Sequence, residues 1–259
     1  MLKKTSFGCE TFIFCILLLM TTKLFENIPL IEVAFEIQFP RAIFVYEKIY
    51  GFYNEYLSKQ FPEITENDVL SNVIENGNGD PIIRKLSGFH TRKFFISTDK
   101  VYIIQIQPDK LLMNWRKIDE STQYPGYKIV VKEFFEVINR AYVHFGIDID
   151  PNQYEMAYVN HIPRLEESGS LYDPTKYSKY LGSLPVSRNF KLAFATPLSF
   201  SDGILKTDIE SVIEIDNNVH VVKVQNTARG YNDGKIEDWF DAAHEKLIKE
   251  FDNILIQSI

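Results

Sequence analysis

The clearest alternation of apolar and polar residues in the chain runs from Val101 to Lys117, which reads VYIIQIQPDKLLMNWRK. Pro108-Asp109 divides it into two apolar runs, and such a pair is typical of a tight turn. A two-residue loop pairs Gln107 with Lys110 and separates the side chains into two sets. The set predicted to face the core is Tyr102, Ile104, Ile106, Leu111, Met113 and Trp115. The half-polar set is Val101, Ile103, Gln105, Gln107, Lys110, Leu112, Asn114 and Arg116.

Other periodic segments surround this hairpin. Ile31 to Phe39 alternates apolar and polar residues, as a half-buried strand does. Apolar residues three and four apart predict helices at Arg41 to Gln60 and at Tyr127 to Phe145. Polar and loop-forming residues between Pro62 and Ser87 predict a connector, which leads into a further strand at Phe89 to Ser97.

The second half of the chain repeats this order. Its predicted elements are a strand at Tyr154 to Ile162, a short helix at Pro174 to Leu181, strands at Phe190 to Leu198, Ile204 to Ile215 and Val219 to Arg229, and a helix at Lys235 to Leu255. The segment Glu155 to Tyr158 (EMAY) is similar to Glu32 to Phe35 (EVAF). The sequence therefore predicts an α+β fold that is internally duplicated, as residues 20–150 and 151–259. Each repeat is a strand, a helix, a three-strand meander and a helix, joined into a mainly antiparallel sheet with helices packed on one face.

Residues 1–19 stand apart from this pattern. Lys3 and Lys4 precede the apolar run Phe12 to Met20, an order that is typical of a secretory signal. The run is shorter than the roughly 20 residues that span a bilayer, and no small-residue cleavage site follows it. We interpret residues 1–19 as a non-native extension upstream of a start at Met20. An exported or membrane-anchored protein is the alternative.

Composition and charge narrow the class of protein. Hydrophobic residues make up 45% of the 259 positions and charged residues 24%, which is typical of a folded soluble domain. The net charge of −7, without a dense block of Lys and Arg, disfavours binding to nucleic acid. Both cysteines, Cys9 and Cys15, lie in the first 19 residues. The remaining chain has none, which favours the reducing cytoplasm.

Signatures of common enzymes are missing from the sequence. It has no Gly-x-Ser-x-Gly nucleophile elbow, no GKS or GKT phosphate loop and no dinucleotide-binding glycine pattern. His244-Glu245 lies on a predicted helix, but Ile248 stands where a zinc protease needs its second histidine. We therefore predict neither a metal nor a cofactor.

A ligand-binding surface is predicted on the half-polar side of the hairpin. Gln105, Asn114 and Arg116 place amides and a guanidinium together, and an Arg side chain can hold a carboxylate or phosphate with two parallel hydrogen bonds. Arg229 ends the last strand of the second repeat and is the counterpart of Arg116, so the pair could flank one anion. Asn160 completes this predicted set. A small anionic ligand or a partner protein would bind here. The simpler alternative is that Trp115 lies in the core, that Arg116 pairs with an acidic side chain across the sheet, and that Arg229 is a solvated strand end.

A catalytic alternative rests on His161. This histidine could act as a general base if Glu155 or Glu32 orients its ring. The function would then be that of a hydrolase, whereas the missing enzyme signatures favour a non-catalytic binding protein. A hydrogen-bonded structural histidine is the simpler interpretation of His161.

Short motifs throughout the chain resemble those of a sporadically distributed family of uncharacterised prokaryotic proteins. They are Ile28 to Ile37, Gln105 to Lys110, Asn114 to Arg116, Tyr124-Pro125, Tyr158 to Ile162, Thr227 to Gly230 and Ala243 to Glu245. The resemblance covers the chain from about Met20, and it implies a start near that residue. It brings no activity with it. The family's sporadic distribution suggests a further alternative, a component of a toxin–antitoxin-like or defence-like operon that assembles, for example as a homodimer, through the free face of the sheet.

Overall fold

The computed structural model describes residues 29–75, 81–84, 91–163, 190–214, 219–231 and 233–254. Within these ranges the chain has three α-helices, eleven strands and one π-helical turn, and every strand pairing is antiparallel. The strands are β1 (Leu30–Gln38), β2 (Glu63–Asp68), β3 (Asn72–Ile74), β4 (Ile82–Arg84), β5 (Thr91–Ile96), β6 (Tyr102–Gln107), β7 (Lys110–Arg116), β8 (Gln153–Pro163), β9 (Lys191–Pro197), β10 (Asp202–Glu214) and β11 (Val219–Tyr231). The helices are α1 (Tyr46–Phe52), α2 (Tyr127–Phe145) and α3 (Ile236–Ile254). The α+β class predicted from the sequence is confirmed.

The predicted hairpin is present as β6 and β7. Gln107 lies opposite Lys110, so the loop is Pro108-Asp109 and the predicted register is confirmed. Ile104, Ile106 and Leu111 are fully buried in the main core, as the alternation predicts. Each strand of the hairpin therefore presents one apolar side to the core and one more polar side to the opposite surface.

The first predicted helix is wrong at its start. The backbone N–H groups of Ile43 and Phe44 donate to the carbonyl oxygen of Pro108, at 2.7 and 2.9 Å, which holds this segment against the hairpin loop. The helix can begin only at Tyr46, after these bonds are made. It then continues into a π-helical turn at Tyr53–Leu57.

The connector predicted between Pro62 and Ser87 is also wrong, because it contains β2, β3 and β4. Most residues of β2 are exposed, since this strand is at one edge of the main sheet. An edge strand with polar residues on both sides has no apolar alternation for a sequence pattern to detect. Between α1 and α2, the first half of the chain therefore contributes four strands to the main sheet (β2, β5, β6 and β7), rather than the predicted three.

The main sheet has nine strands in the order β2-β5-β6-β7-β1-β8-β11-β10-β9. From β5 to β9 the order is symmetrical about the contact between β1 and β8, one strand from each predicted repeat. Ala34 of β1 lies opposite Ala157 of β8 at the middle of this contact. The two halves of the chain therefore share one continuous sheet.

One face of the sheet is packed with aromatic side chains. Phe35 is fully buried, and its ring lies 5.2 Å from that of Phe134 in α2 and 5.7 Å from that of Phe240 in α3. Phe134 and Phe240 also meet edge to face at 5.4 Å. The face that carries Phe35 is therefore the core side of the sheet.

Two predictions fall outside the described ranges: the extension at residues 1–19 and the short helix at Pro174 to Leu181. Among the helices that are described, none combines the length and the apolar character needed to cross a membrane.

Candidate functional site

The candidate site lies on the sheet face opposite Phe35, which we call the polar face. The strand registers place its side chains in rows that cross the sheet. One row contains Gln105, Leu112, Glu36, Glu155 and Arg229. A second contains Arg116, Glu32, Val159 and Gln225. Of the predicted ligand-binding residues, Gln105, Asn114, Arg116 and Arg229 share this face.

A short segment, Leu70–Glu75, crosses one end of the polar face, and we call it the strap. At its first residue, the Leu70 N–H donates to Oε1 of Gln107 at 2.9 Å, while Nε2 of Gln107 donates to the Leu70 carbonyl at 3.1 Å. At its last residue, the Glu75 N–H donates to Oε1 of Gln153 at 2.9 Å, and Gln153 also donates to the carbonyl of Val73. Gln107 is fully buried and Gln153 almost so. These glutamines therefore serve as backbone partners for the strap.

Ionised side chains are buried beneath the strap. Lys110 and Glu36 form an ion pair in which both side chains are about 5% exposed (5% and 6%). Glu36 also lies directly opposite Glu155 on the neighbouring strand. Burial raises the pKa of Glu36; the positive charge of Lys110 opposes that rise and the negative charge of Glu155 adds to it. This row therefore holds carboxylates that depend on nearby cations.

Arg229 is the cation that lies within this row, whereas Lys110 reaches Glu36 from the neighbouring row. Its Nε donates to the carboxylate of Glu155, and its Nη1 lies 3.0 Å from Oε1 of Glu75 at the end of the strap. The Glu75 side chain is only 4% exposed. Burial acts to lower the pKa of Arg229, but the carboxylates of Glu155, Glu36 and Glu75 together outweigh it, and the pKa is raised. Arg229 is therefore held by two carboxylates, and the simpler prediction of a solvated strand end is wrong.

Arg116 differs from Arg229 in its hydrogen-bond partners. Its Nη2 donates to the carbonyl of Lys100 at 3.3 Å, while its Nε is buried and has no hydrogen-bond partner in the described part of the chain. Glu32 lies opposite Arg116, yet its carboxylate accepts from Nδ2 of Asn114 at 2.5 Å, and Oδ1 of Asn114 accepts from Gln105 at 2.7 Å. Within the described ranges, Arg116 has no carboxylate partner.

The two arginines do not flank one small site. Arg116 lies in the row of Glu32 and Arg229 in the row of Glu36, and these two rows are four residues apart along β1. The strands that carry the arginines, β7 and β11, are three positions apart in the sheet. With a rise of about 3.3 Å per residue and about 4.8 Å between strands, they are about 20 Å apart. One small anion cannot contact both.

The remaining predicted residues are dispersed. Asn160 lies opposite Val224, which is buried in the apolar cluster on the core side, so Asn160 is on the other face from Arg116. His161 and Glu155 are on the same strand, six residues and therefore about 20 Å apart. The structure does not bring this predicted catalytic pair together.

Sequence reasoning missed a buried cluster on the core side. The hydroxyl of Tyr158 lies 2.6 Å from Nδ1 of His244, and the ring of Tyr127 stacks on that imidazole at 3.9 Å. Burial lowers the pKa of His244 to about 4. All three side chains are less than 10% exposed (7%, 7% and 3%), so a substrate has no access to them. The sequence offered only His244-Glu245, which was rejected as a metal site because Ile248 stands in place of a second histidine, and no pattern indicated the tyrosine.

Two surface cavities lie away from all these residues. One, of about 180 Å³, is lined by residues that include Glu55, Lys59 and Arg140. The other, of about 210 Å³, lies beside Arg41 and Phe145. Both are smaller than the roughly 300 Å³ at which pockets for small molecules begin. The candidate site on the polar face therefore does not coincide with either cavity.

Comparison with protein-family models and with curated proteins finds no match to this chain. Among the described residues, no group of three or more His, Cys, Asp or Glu side chains is arranged to hold a metal ion. The polar face must therefore be interpreted from its own geometry.

Proposed function

We propose that the protein is a non-catalytic binding protein that holds a carboxylate-bearing segment of a partner at Arg116. The observation that carries this proposal is the difference between the two arginines of the polar face. Arg229 is held by Glu155 and by Glu75 of the strap, whereas Arg116 has no carboxylate partner in the described ranges. An unpaired guanidinium beside preorganised amides is suited to a carboxylate.

We further infer that the two halves arose by internal duplication, with α2 and α3 as equivalent helices over the core side. The symmetrical strand order and the central Ala34–Ala157 pair support this. So does the position of each arginine, because Arg116 lies opposite Glu32 and Arg229 opposite Glu155, the equivalent glutamates of the two halves.

If the two halves are equivalent, the contact of the strap with Arg229 indicates what kind of partner segment would bind at Arg116. In one half, an extended segment crosses the polar face and delivers the Glu75 carboxylate to Arg229. At the equivalent arginine, Arg116, a partner segment of the same kind would meet the same chemistry. An extended acidic peptide therefore fits better than a small anion, which agrees with a broad surface.

A peptide with the sequence of the strap tests the proposal directly. The probe is LSNVIE, residues 70–75, with both termini blocked so that its one carboxylate is the glutamate side chain, and its control is the same blocked peptide with glutamine in place of the glutamate. We expect LSNVIE to shift the amide NMR signals of Asn114 and Arg116, because its carboxylate pairs with the guanidinium. The control peptide, and LSNVIE added to the Arg116→Gln variant, should bind at least about tenfold more weakly.

Lys206→Gln is the matched variant, because Lys206 is an exposed cation that pairs with Asp208 rather than with a ligand. It should bind LSNVIE as the unaltered protein does. Equal binding of the acidic and the glutamine peptides, or shifts located elsewhere, would contradict the proposal.

The hydrolase alternative has no comparable support. It requires His161 and a glutamate within hydrogen-bond reach. Glu155 is about 20 Å from His161 along β8, and the carboxylate of Glu32 accepts from Asn114.

A further inference from the structure

The two edges of the nine-stranded sheet are chemically different. β2 forms one edge and carries the exposed acidic residues Glu63, Glu66 and Asp68. Charged side chains of this kind prevent a sheet edge from pairing with another strand. β9 is the last strand in the order at the other side, and from Leu192 to Thr196 it has no charged residue. Among the residues that the structure describes, no charged side chain of this kind protects that stretch of the edge.

The hydrogen bonds of β9 identify the backbone groups that point outward. The carbonyl of Phe190 accepts from the N–H of Ser211, and the N–H of Leu198 donates to the carbonyl of Gly203, so both residues direct their backbone towards β10. Backbone groups of successive residues alternate between the two sides of a strand. Ala193 and Ala195 therefore direct their N–H and C=O groups away from β10, and both residues are exposed.

We propose that β9 pairs with β9 of a second copy of this chain, antiparallel across a twofold axis at Phe194. In this register Ala193 of each copy exchanges two hydrogen bonds with Ala195 of the other. At each end of the pairing, the N–H of Lys191 donates to the carbonyl of Pro197, and this is the single bond of that pair because proline has no N–H to return. The interface is closed, because the same strand serves on both sides.

The side chains of β9 fit this pairing with itself. Leu192 and Phe194 lie on the core side, opposite Ile209 and Thr207, and Leu192 and Phe194 are partly buried against the apolar cluster that includes Ile209. In this register Phe194 faces Phe194 of the second copy and Leu192 faces its Thr196, so the second copy covers the exposed parts of both side chains. The two Lys191 side chains lie at opposite ends of the paired strands, so they do not repel each other.

The alternative strand, β2 of a second copy, fits less well. Its core-side residues include Glu66 and Asp68, whose carboxylates would be desolvated against Leu192 and Phe194. Pairing of β9 with β2 would also be head to tail and would extend into open chains rather than close as a dimer. The inference goes beyond the proposed peptide-binding function and does not depend on it.

A charge-exchange experiment tests the proposed pair. One variant is Ala193→Lys/Ala195→Lys, and the other is Ala193→Glu/Ala195→Glu. Like charges then face each other across the axis in either variant, whereas opposite charges face each other when the two are mixed. By analytical ultracentrifugation we expect the unaltered chain to form dimers, each variant alone to dissociate at least about tenfold more readily, and the mixture to form heterodimers.

A second pair of variants separates hydrogen bonding from charge. Ala195→Pro removes only an outward N–H, which an edge strand tolerates, whereas Ala195→Thr keeps it. The first should weaken the dimer and the second should not, with melting temperatures that show both are folded. The proposal would be overturned if the unaltered protein were monomeric or formed concentration-dependent polymers. It would also be overturned if the lysine variant remained a dimer or if the mixture of the two charged variants stayed monomeric.

Discussion

The hydroxyl of Tyr158 lies 2.6 Å from Nδ1 of His244, and this contact joins the central strand β8 to α3 through the core. Burial raises the pKa of Tyr158 well above its usual value, so the tyrosine keeps its proton and donates it. His244 accepts because burial, and then the charge of Lys128, lower its pKa to about 4. The core therefore contains a neutral histidine at neutral pH.

That neutral histidine makes the protein sensitive to acid. The unfolded chain takes up a proton on His244 below its ordinary pKa of 6.5, whereas the folded chain does so only near 4. The free energy of unfolding should therefore fall as the pH is lowered between these values, and His244 accounts for about 3 kcal/mol of the loss. Urea denaturation across this range measures it.

Replacement of the histidine supplies the comparison. His244→Phe should remove this part of the pH dependence, whereas Tyr158→Phe keeps the buried imidazole and should retain it. Tyr158→Phe should instead cost about 1–3 kcal/mol at neutral pH, because Nδ1 loses its donor. Parallel pH profiles for the unaltered protein and His244→Phe would refute the prediction.

The two arginines of the polar face should differ in their effect on stability. Arg229→Gln leaves Glu155 and Glu75 without their cation, so we expect a loss of about 3 kcal/mol or more in the free energy of unfolding. Arg116→Gln breaks no ion pair within the described ranges and should change the stability by about 0.5 kcal/mol or less. Denaturation of the two variants at neutral pH gives the comparison, and equal losses would contradict it.

The pair of Lys110 and Glu36 leads to a pH dependence of opposite sign to that of His244. Lys110→Met leaves a buried carboxylate without its cation, which costs about 3 kcal/mol at neutral pH. Burial already raises the pKa of Glu36, and loss of the lysine raises it further. The folded chain then binds the proton more tightly, so this variant should recover stability as the pH falls towards 4.5.

Lys110→Met/Glu36→Gln is the control for that measurement, because it has no carboxylate to titrate at this position. Its free energy of unfolding should exceed that of Lys110→Met at neutral pH and should lack the recovery in acid. A recovery of the same size in both variants would exclude Glu36 as its source.

Two glycines of the last hairpin should resist substitution. Gly203 lies opposite Gly230, and a Cβ at Gly203 would overlap the carbonyl oxygen of Arg229. Backbone cannot move aside as a side chain can, so Gly203→Ala should cost at least about 2 kcal/mol. Gly51→Ala is the matched change in α1, where the nearest atoms belong to the His144 ring at 3.4 Å and alanine gains up to about 1 kcal/mol in helix propensity. Thermal denaturation should show opposite shifts, and a Gly203→Ala variant as stable as the unaltered protein would be inconsistent with this close approach.

The parts of the fold that the sequence predicted are those with one apolar and one polar side. β6, β7 and α2 are of this kind, and their bounds agree with the pattern to within a residue. β2 was not predicted, because it is an exposed edge strand that does not alternate. The start of α1 was misplaced because hydrogen bonds to the distant Pro108 determine it.

The candidate site was predicted only in part, for a related reason. Gln105, Asn114 and Arg116 are close in sequence and lie together, because one hairpin determines their positions. The strap and the contact of Tyr158 with His244 join residues that are distant in sequence, the latter 86 positions apart. Pairing between distant segments follows from the complete fold and leaves no local pattern of apolar residues.

The central Ala34–Ala157 pair also bears on the order in which the chain folds. The pairing of β1 with β8 closes a long loop, since Gln38 and Asn152, which bond at its end, are 114 positions apart. The hairpins β6–β7 and β10–β11, by contrast, join neighbouring segments and close at a much smaller entropic cost. The seam in the middle of the finished sheet is thus its most non-local strand pairing, and the two hairpins can form before the central strands β1 and β8 join.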